Sequence, residues 1–349
     1  MSMNELSLAE IEYEQHVREC VRAALTSGAS DLNEVLQETQ GADPVLVAKL
    51  IDAERAKATV VHIGGSFITQ DDTSSISYRL PAPDPSRSQW WFSTRGLSYI
   101  STIVRAQAAR LSPCRIFSLG TPTLGWNLAR SGIKMSVLDV DRDVISSLKP
   151  LTDDVDLIEY DAADELPSEL IESFDIAVLD PPWYSEAIYT FLSRALTASK
   201  MMGEIYCTLP GRLTRPGTEI FRAQLIRDLI SSGHEILALE GGTVHYQVPR
   251  FELAALKHLD GFKGVPWRAG DFLHIRKTSN KSIPKNYFTR NLHKSSPEIL
   301  LNLEFSSGEQ KRPARASSRR GSKNTLGISA RVLTSEKILI FGQVKRQEL

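Results

Sequence analysis

The chain has 349 residues, 42% of them apolar, with 41 Lys and Arg set against 42 Asp and Glu, and only three cysteines. That length fits about two domains or one large core with additions, and a net charge of −1 offers no global attraction to nucleic acid or membrane, so any basic surface must be local. Cys20, Cys114 and Cys207 are too scattered for a disulfide ladder or a metal site, Met1 to Ala9 lacks a signal-peptide pattern, and no apolar run reaches the length of a membrane span; a cytoplasmic protein without metal or membrane partner is expected.

In chain order, residues 8–26 read as a helix, with Ile11, Val17, Val21 and Leu25 apolar among charges. Asp31 is placed to cap a short helix through Leu36. Asp43-Pro44 supplies the cap and first-turn proline of a third helix carrying Val47 and Leu50. Two β-type runs around Gly64-Gly65, spanning 59–69, read as a hairpin. Three helices and a hairpin are the parts of a winged helix, so 1–70 is taken as a winged-helix-like domain. Such modules read DNA or serve as protein contacts. The second and third helices carry few basic residues, Lys49, Arg55 and Lys57.

Residues 71–88 are polar and proline-containing and read as a linker. From 89 to 276 strand and helix alternate. Trp90-Trp91-Phe92 leads into a helix at 96–110. Strands are predicted at Arg115 to Leu119, Lys134 to Val140, Asp156 to Tyr160, Phe174 to Leu179 and Glu204 to Leu209. Helices are predicted at Leu124 to Ser131, Arg142 to Leu148, Ser185 to Ala198 and Thr218 to Ser232. Glu235 to Glu240 and Phe251 to Leu256 are expected to close the sheet as an antiparallel pair. The pattern is an α/β fold of the Rossmann-like type, a mostly parallel sheet with helices on both faces and ligands beyond the carboxyl ends of its strands. Residues 277–349 form a basic extension. Lys311, Arg312, Arg315, Arg319, Arg320 and Lys323 stand among Ser and Pro, and strand character returns in Thr325 to Val344. The basic run suits a phosphate backbone or simply solvent.

Candidate site residues gather at four strand ends. Gly120, in Leu119-Gly120-Thr121-Pro122-Thr123-Leu124-Gly125, permits close backbone approach to a ligand, but the loop is not the Gly-x-Gly-x-x-Gly of pyrophosphate binders. Asp139, followed by Val140, can accept both hydroxyls of a ribose, while Asp141 opens the next helix. Asp161-Ala162 is placed to meet an adenine edge. Asp180-Pro181-Pro182-Trp183-Tyr184 closes the fourth strand. The two prolines stiffen the turn, the Asp oxygen and a backbone carbonyl suit the two hydrogens of an NH2 group, and the aromatic can stack on a flat substrate. Glu186 is a candidate for pairing a cationic substrate or favouring its helix N-terminus, and Arg212 for a phosphate or carboxylate. For Trp90 and Trp91 core packing is expected, and for His245 a hydrogen-bonded loop role.

The stretch 89–210 resembles the probable N6-adenine methyltransferase family, which also includes lysine methyltransferases of translation elongation factors. The likeness lies in Trp90-Trp91-Phe92-Ser93, in Leu119-Gly120-Thr121-Pro122-Thr123, in Asp180-Pro181-Pro182-Trp183 with Ser185-Glu186, and in the strand into Cys207-Thr208. It implies a class I methyltransferase sheet and S-adenosylmethionine as cofactor, with Gly120, Thr121, Asp139, Val140, Asp161 and Ala162 around it. It further implies an amine acceptor held by Asp180, Pro181, Pro182 and Trp183, with Tyr184, Glu186 and Arg212 on the substrate side. Adenine N6 of a nucleic acid is the leading acceptor, and a protein lysine is the alternative.

From about 30 to 260 the chain is also similar to branched-chain polyamine synthases. The features are Leu138-Asp139-Val140-Asp141-Arg142 and Asp180-Pro181-Pro182 with Glu186-Ala187-Ile188. That likeness implies an aminopropyltransferase. The family's acidic Gly-Asp-Asp-Asp-Leu run is replaced here by Gly120-Thr121-Pro122-Thr123-Leu124, which removes three carboxylates that would attract a polyamine. A non-catalytic winged-helix binding protein is the remaining reading. The partner is then a nucleic acid or a protein substrate, and the fold leaves room for a homodimer.

Overall fold

The computed structural model describes residues 8–57, 80–149, 154–284 and 337–338. Three helices come first: α1 (Leu8–Thr26), α2 (Leu32–Glu38) and α3 (Pro44–Lys57). Asp31 caps α2 by accepting from the N–H groups of Asn33 and Glu34, and Asp43 accepts from Val45 N–H at the start of α3. The hairpin expected at 59–69 and the basic run at 311–323 lie outside the described residues.

The sheet is built from β1 (Arg115–Leu119), β2 (Lys134–Asp139), β3 (Val155–Glu159), β4 (Phe174–Leu179), β5 (Ser199–Pro210), β6 (Glu235–His245), β7 (Ala269–Arg276) and β8 (Lys337–Ile338). Its order is β3-β2-β1-β4-β5-β7-β6-β8. The first five strands pair in parallel, and β7 is inserted antiparallel between β5 and β6. Between them run α4 (Thr94–Arg110), α5 (Pro122–Leu128), α6 (Arg142–Leu148), α7 (Ser185–Ala198), α8 (Thr218–Ser231) and α9 (Arg250–Leu256). The sheet was expected to end in a strand at Phe251 to Leu256, and the structure corrects this. Pro249 precedes a helical turn in which Glu252 and Leu256, four apart, face inward, and the antiparallel partner of β6 is β7.

Alternation along the strands sorts side chains onto two faces. Phe117 and Leu119 of β1 and Ala177 and Leu179 of β4 join Ile188, Leu192, Leu225 and Leu229 beneath α7 and α8. Ile116, Ile176 and Val178 join Leu97, Ile100, Val104, Leu124 and Leu128 beneath α4 and α5. A third cluster unites α1–α3 with Leu213, Leu256 and Trp267 of the larger domain. Among the described residues no helix is long and apolar enough to cross a membrane.

Candidate functional site

The strand order reverses between β1 and β4, the switch point where open α/β sheets place their ligands. Gly120 stands there with φ +68°, and its N–H donates to Leu138. A Cβ on it would meet the Asp180 carbonyl at 2.9 Å and the Phe191 ring at 3.0 Å, so only glycine fits. Asp180 N–H donates to the Leu119 carbonyl at 3.2 Å. The Pro-Pro turn and the loop after the first strand are therefore direct neighbours.

One cavity opens beside them, with about 680 Å³ of empty space that includes its open mouth. Gly120, Asp139, Val140, Asp161 and Ala162 all line it, as the strand-end pattern predicts. Asp139 is buried, and one carboxylate oxygen accepts the N–H of Asp141 at 2.9 Å. Burial pushes its pKa up to about 6, against that hydrogen bond, which holds it down. Asp141 caps α6 from Asp143 and Val144, as expected, and is also gripped by Gln89 and by Arg87 at 3.0 Å. Those contacts outweigh its burial and keep its carboxyl below the usual range. Thr121 is not on the cavity wall. It is fully buried, and its hydroxyl is bonded to Ser118 at 2.5 Å, tying the turn rather than meeting a ligand.

A second cavity of about 510 Å³ lies on the other side of the turn. Asp180 and Pro182 belong to both walls, and so do Ser88 and Trp90. Pro181, Trp183 and Tyr184 line the second cavity. The Asp180 carboxylate is half-buried, and its Oδ1 accepts from both the Thr208 and the Tyr246 hydroxyls. Burial pushes its pKa up to about 7, and the two hydroxyls pull the other way. The Trp183 ring meets Tyr246 edge-on at 5.3 Å and packs over Gly270, where a Cβ would lie 2.8 Å from the indole. Tyr184 is held through its hydroxyl by Ser88. Besides Thr121, two sequence-predicted residues line neither cavity. Glu186 stays in the first turn of α7, bonded to Ser185 at 3.0 Å, and Arg212 is exposed and pairs with Glu219 at 3.2 Å. In place of Arg212 the turn presents Arg215, whose guanidinium donates to the Trp183 carbonyl.

Other wall residues carried no signal in the sequence. Arg87 and Ser88 fall at the end of the supposed linker and Gln89 at the start of the α/β domain, yet all three line the first cavity beside a short 3-10 turn at Pro85–Arg87. Trp90 and Trp91 line it as well, so packing and pocket coincide. Arg268 lies 4.7 Å from the Trp90 ring centroid and 5.7 Å from that of Trp183, and is paired with Glu252. His245, expected in a loop, is the last residue of β6, and its carbonyl accepts from Ser93 N–H at 2.9 Å.

A family model described as probable N6-adenine methyltransferase matches residues 83–227. That span takes in the β1 loop, the β2 and β3 ends and the Asp180 turn, and bears out the resemblance drawn from those motifs. The branched-chain polyamine synthase of Thermus thermophilus is similar over 82% of this chain and 97% of its own, with TM-score 0.63 and 14% identity. Its solved complex holds N4-aminopropylspermidine and 5′-methylthioadenosine. A putative RNA methyltransferase of Pyrococcus horikoshii covers 57% of this chain and 92% of its own at TM-score 0.39 and 16% identity. At such identities the first likeness establishes the fold and nothing about the acceptor. No curated protein matches the chain.

Proposed function

We propose that the protein transfers a methyl group from S-adenosylmethionine to an amine nitrogen, and that this nitrogen is the exocyclic N6 of adenine in a nucleic acid. The observation behind the proposal is the place of Asp180 in the wall shared by two cavities, one suited to a nucleoside and one open to an acceptor. The match to a methyltransferase family model over the same residues supports it.

The residues present fit the cofactor. The bare backbone of Gly120 leaves space that any side chain would fill, and Asp139 offers a buried carboxylate for ribose hydroxyls. Asp161 and Ala162 stand where an adenine edge would be read. When bound, S-adenosylmethionine supplies an activated methyl group on a sulfonium. The chain supplies position. The second oxygen of Asp180 and the Pro181 carbonyl accept the two N–H groups of the acceptor, which leaves the nitrogen lone pair turned toward the cofactor side. Trp183 and Tyr246 wall the flat acceptor, and the product nitrogen's proton leaves to Asp180 or to water. A base in a duplex must be flipped out to reach this turn, and a single-stranded base need not be. Lysine and polyamine acceptors are poorly served by the same cavity, where the single carboxylate, Asp180, shares the wall with the Arg215 guanidinium and Arg268 is paired with Glu252.

Tritiated methyl transfer in a cell lysate, with the product divided between nuclease and protease digestion, tests the assignment. Label released by nuclease is expected, and label held in protein would transfer the assignment to a lysine. Asp180→Ala should cut transfer about a hundredfold or more while leaving the cofactor dissociation constant within about twofold. Full activity in that variant overturns the role of Asp180.

A further inference from the structure

We infer that Arg215 forms an anion subsite in the acceptor cavity that takes a phosphate next to the target base, an inference that rests on the adenine reading above. Arg215 lies in the turn between β5 and α8, half-buried in the cavity wall. One of its five N–H groups is engaged by the Trp183 carbonyl, which fixes the guanidinium beside the Pro-Pro turn. Its neighbours are neutralised. Arg268 is paired with Glu252, Arg222 with Asp271 at 2.6 Å, and Arg212 with Glu219 at 3.2 Å. Among the described residues Arg215 has no carboxylate within ion-pair distance.

A half-buried guanidinium with no carboxylate in ion-pair contact is costly, and burial lowers its pKa, with the more distant Glu186 and Tyr184 side chains pulling the other way. The cost is offset when an anion occupies the cavity. Asp180 is the one carboxylate in this wall, and it makes no ion pair with Arg215, so the guanidinium stays open to an anion in the cavity. The planar fork of arginine matches two phosphate oxygens at once, a fit a lysine lacks. Trp183 couples the two contacts. Its ring walls the acceptor cavity while its carbonyl holds the cation, so a base against the ring and a phosphate on Arg215 are contacts one nucleotide can make together.

Calorimetry on protein saturated with S-adenosylhomocysteine, so that the nucleoside cavity is filled, tests the subsite with adenosine and adenosine 5′-monophosphate as probes. Wild type should bind the monophosphate about tenfold more tightly than adenosine, with the advantage shrinking as salt rises. Arg215→Gln should erase the advantage with adenosine affinity unchanged, and Arg215→Lys should keep part of it. A purely structural role for Arg215 would weaken both probes alike. Equal affinity for the two probes in wild type, or an undiminished preference in Arg215→Gln, overturns the subsite. If Arg215→Gln fails to fold, competition in wild type decides. Inorganic phosphate should displace the monophosphate and not adenosine, and absence of that competition also overturns the subsite. An Arg215-dependent preference without methyl transfer to any adenine oligonucleotide would leave the subsite standing and remove the adenine reading.

Discussion

Asp180 divides its two oxygens unequally. Oδ1 accepts both hydroxyls, from Thr208 and Tyr246, so the other oxygen is left to face an acceptor. Those hydroxyls stabilise the charged form, while burial pushes the pKa to about 7. An acceptor-only carboxylate is what the amine needs, so kcat/KM should fall as pH drops through about 7. Tyr246→Phe removes one donor from the carboxylate, so its pKa must rise and the acid limb must move to higher pH. A pH–rate profile measured on wild type and Tyr246→Phe checks this, and a limb that stays in place or moves toward acid would show that Asp180 does not set it. The sequence makes Asp180 itself legible, since two prolines and an aromatic after an apolar strand restrict what the turn can do. It hides Thr208 and Tyr246, which lie 28 and 66 residues further on and meet the carboxylate only through the fold. Arg212 and Arg215 are the same residue type in the same turn, and nothing short of the backbone path tells which one enters the cavity.

At the level of elements, strands buried on both faces were the easiest to read. The apolar runs of β1 and β4 are each broken inside by one polar residue, Ser118 and Asp175, and their neighbouring ends define the site. β7 escaped because Gly270, Asp271 and His274 break its apolar pattern, although Asp271 is buried against Arg222. The α9 segment misled through Phe251 and Leu253, which suit a strand until the inward pair Glu252 and Leu256 is seen. One close contact between elements tests the packing. The first turn of α4 rests on β6, and a Cβ on Gly96 would lie 2.2 Å from the His245 carbonyl. Helix propensity alone favours alanine over glycine by about 1 kcal/mol. The clash must win, since neither backbone can yield cheaply, so Gly96→Ala should destabilise the protein by about 1–3 kcal/mol in urea unfolding. A more stable variant would show that α4 does not sit this close to β6.

Across the whole molecule, the N-terminal helices brace the acceptor side of the site. Val35, Leu36, Val47 and Leu50 share a core with Leu213 and Trp267, which flank Arg215 and Arg268 in the chain. The Tyr13 hydroxyl donates to the Leu213 carbonyl at 3.1 Å, and a Cβ on Gly211 would meet the Gln40 carbonyl at 2.9 Å. The helices and their caps are plain in the sequence, but their docking is not, because each partner residue is an ordinary apolar side chain with no pattern of its own. A second close point is Gly41, which has φ +87° and would set a Cβ 3.1 Å from the Ala269 carbonyl, next to Arg268. Gly41→Ala strains that turn by about 1–3 kcal/mol and presses on the start of β7, beneath Trp183 and Gly270. The cofactor-side cavity draws no residue from α1–α3 or from the Leu213 and Trp267 segments they pack on, whereas the other takes Thr214, Arg215 and Arg268, so the walls of the first should not move. Gly41→Ala should therefore raise the acceptor KM several-fold at unchanged S-adenosylhomocysteine affinity, read by steady-state kinetics and calorimetry on one preparation. Equal losses in both would mean that the N-terminal helices support the fold as a whole and have no particular hold on the acceptor cavity.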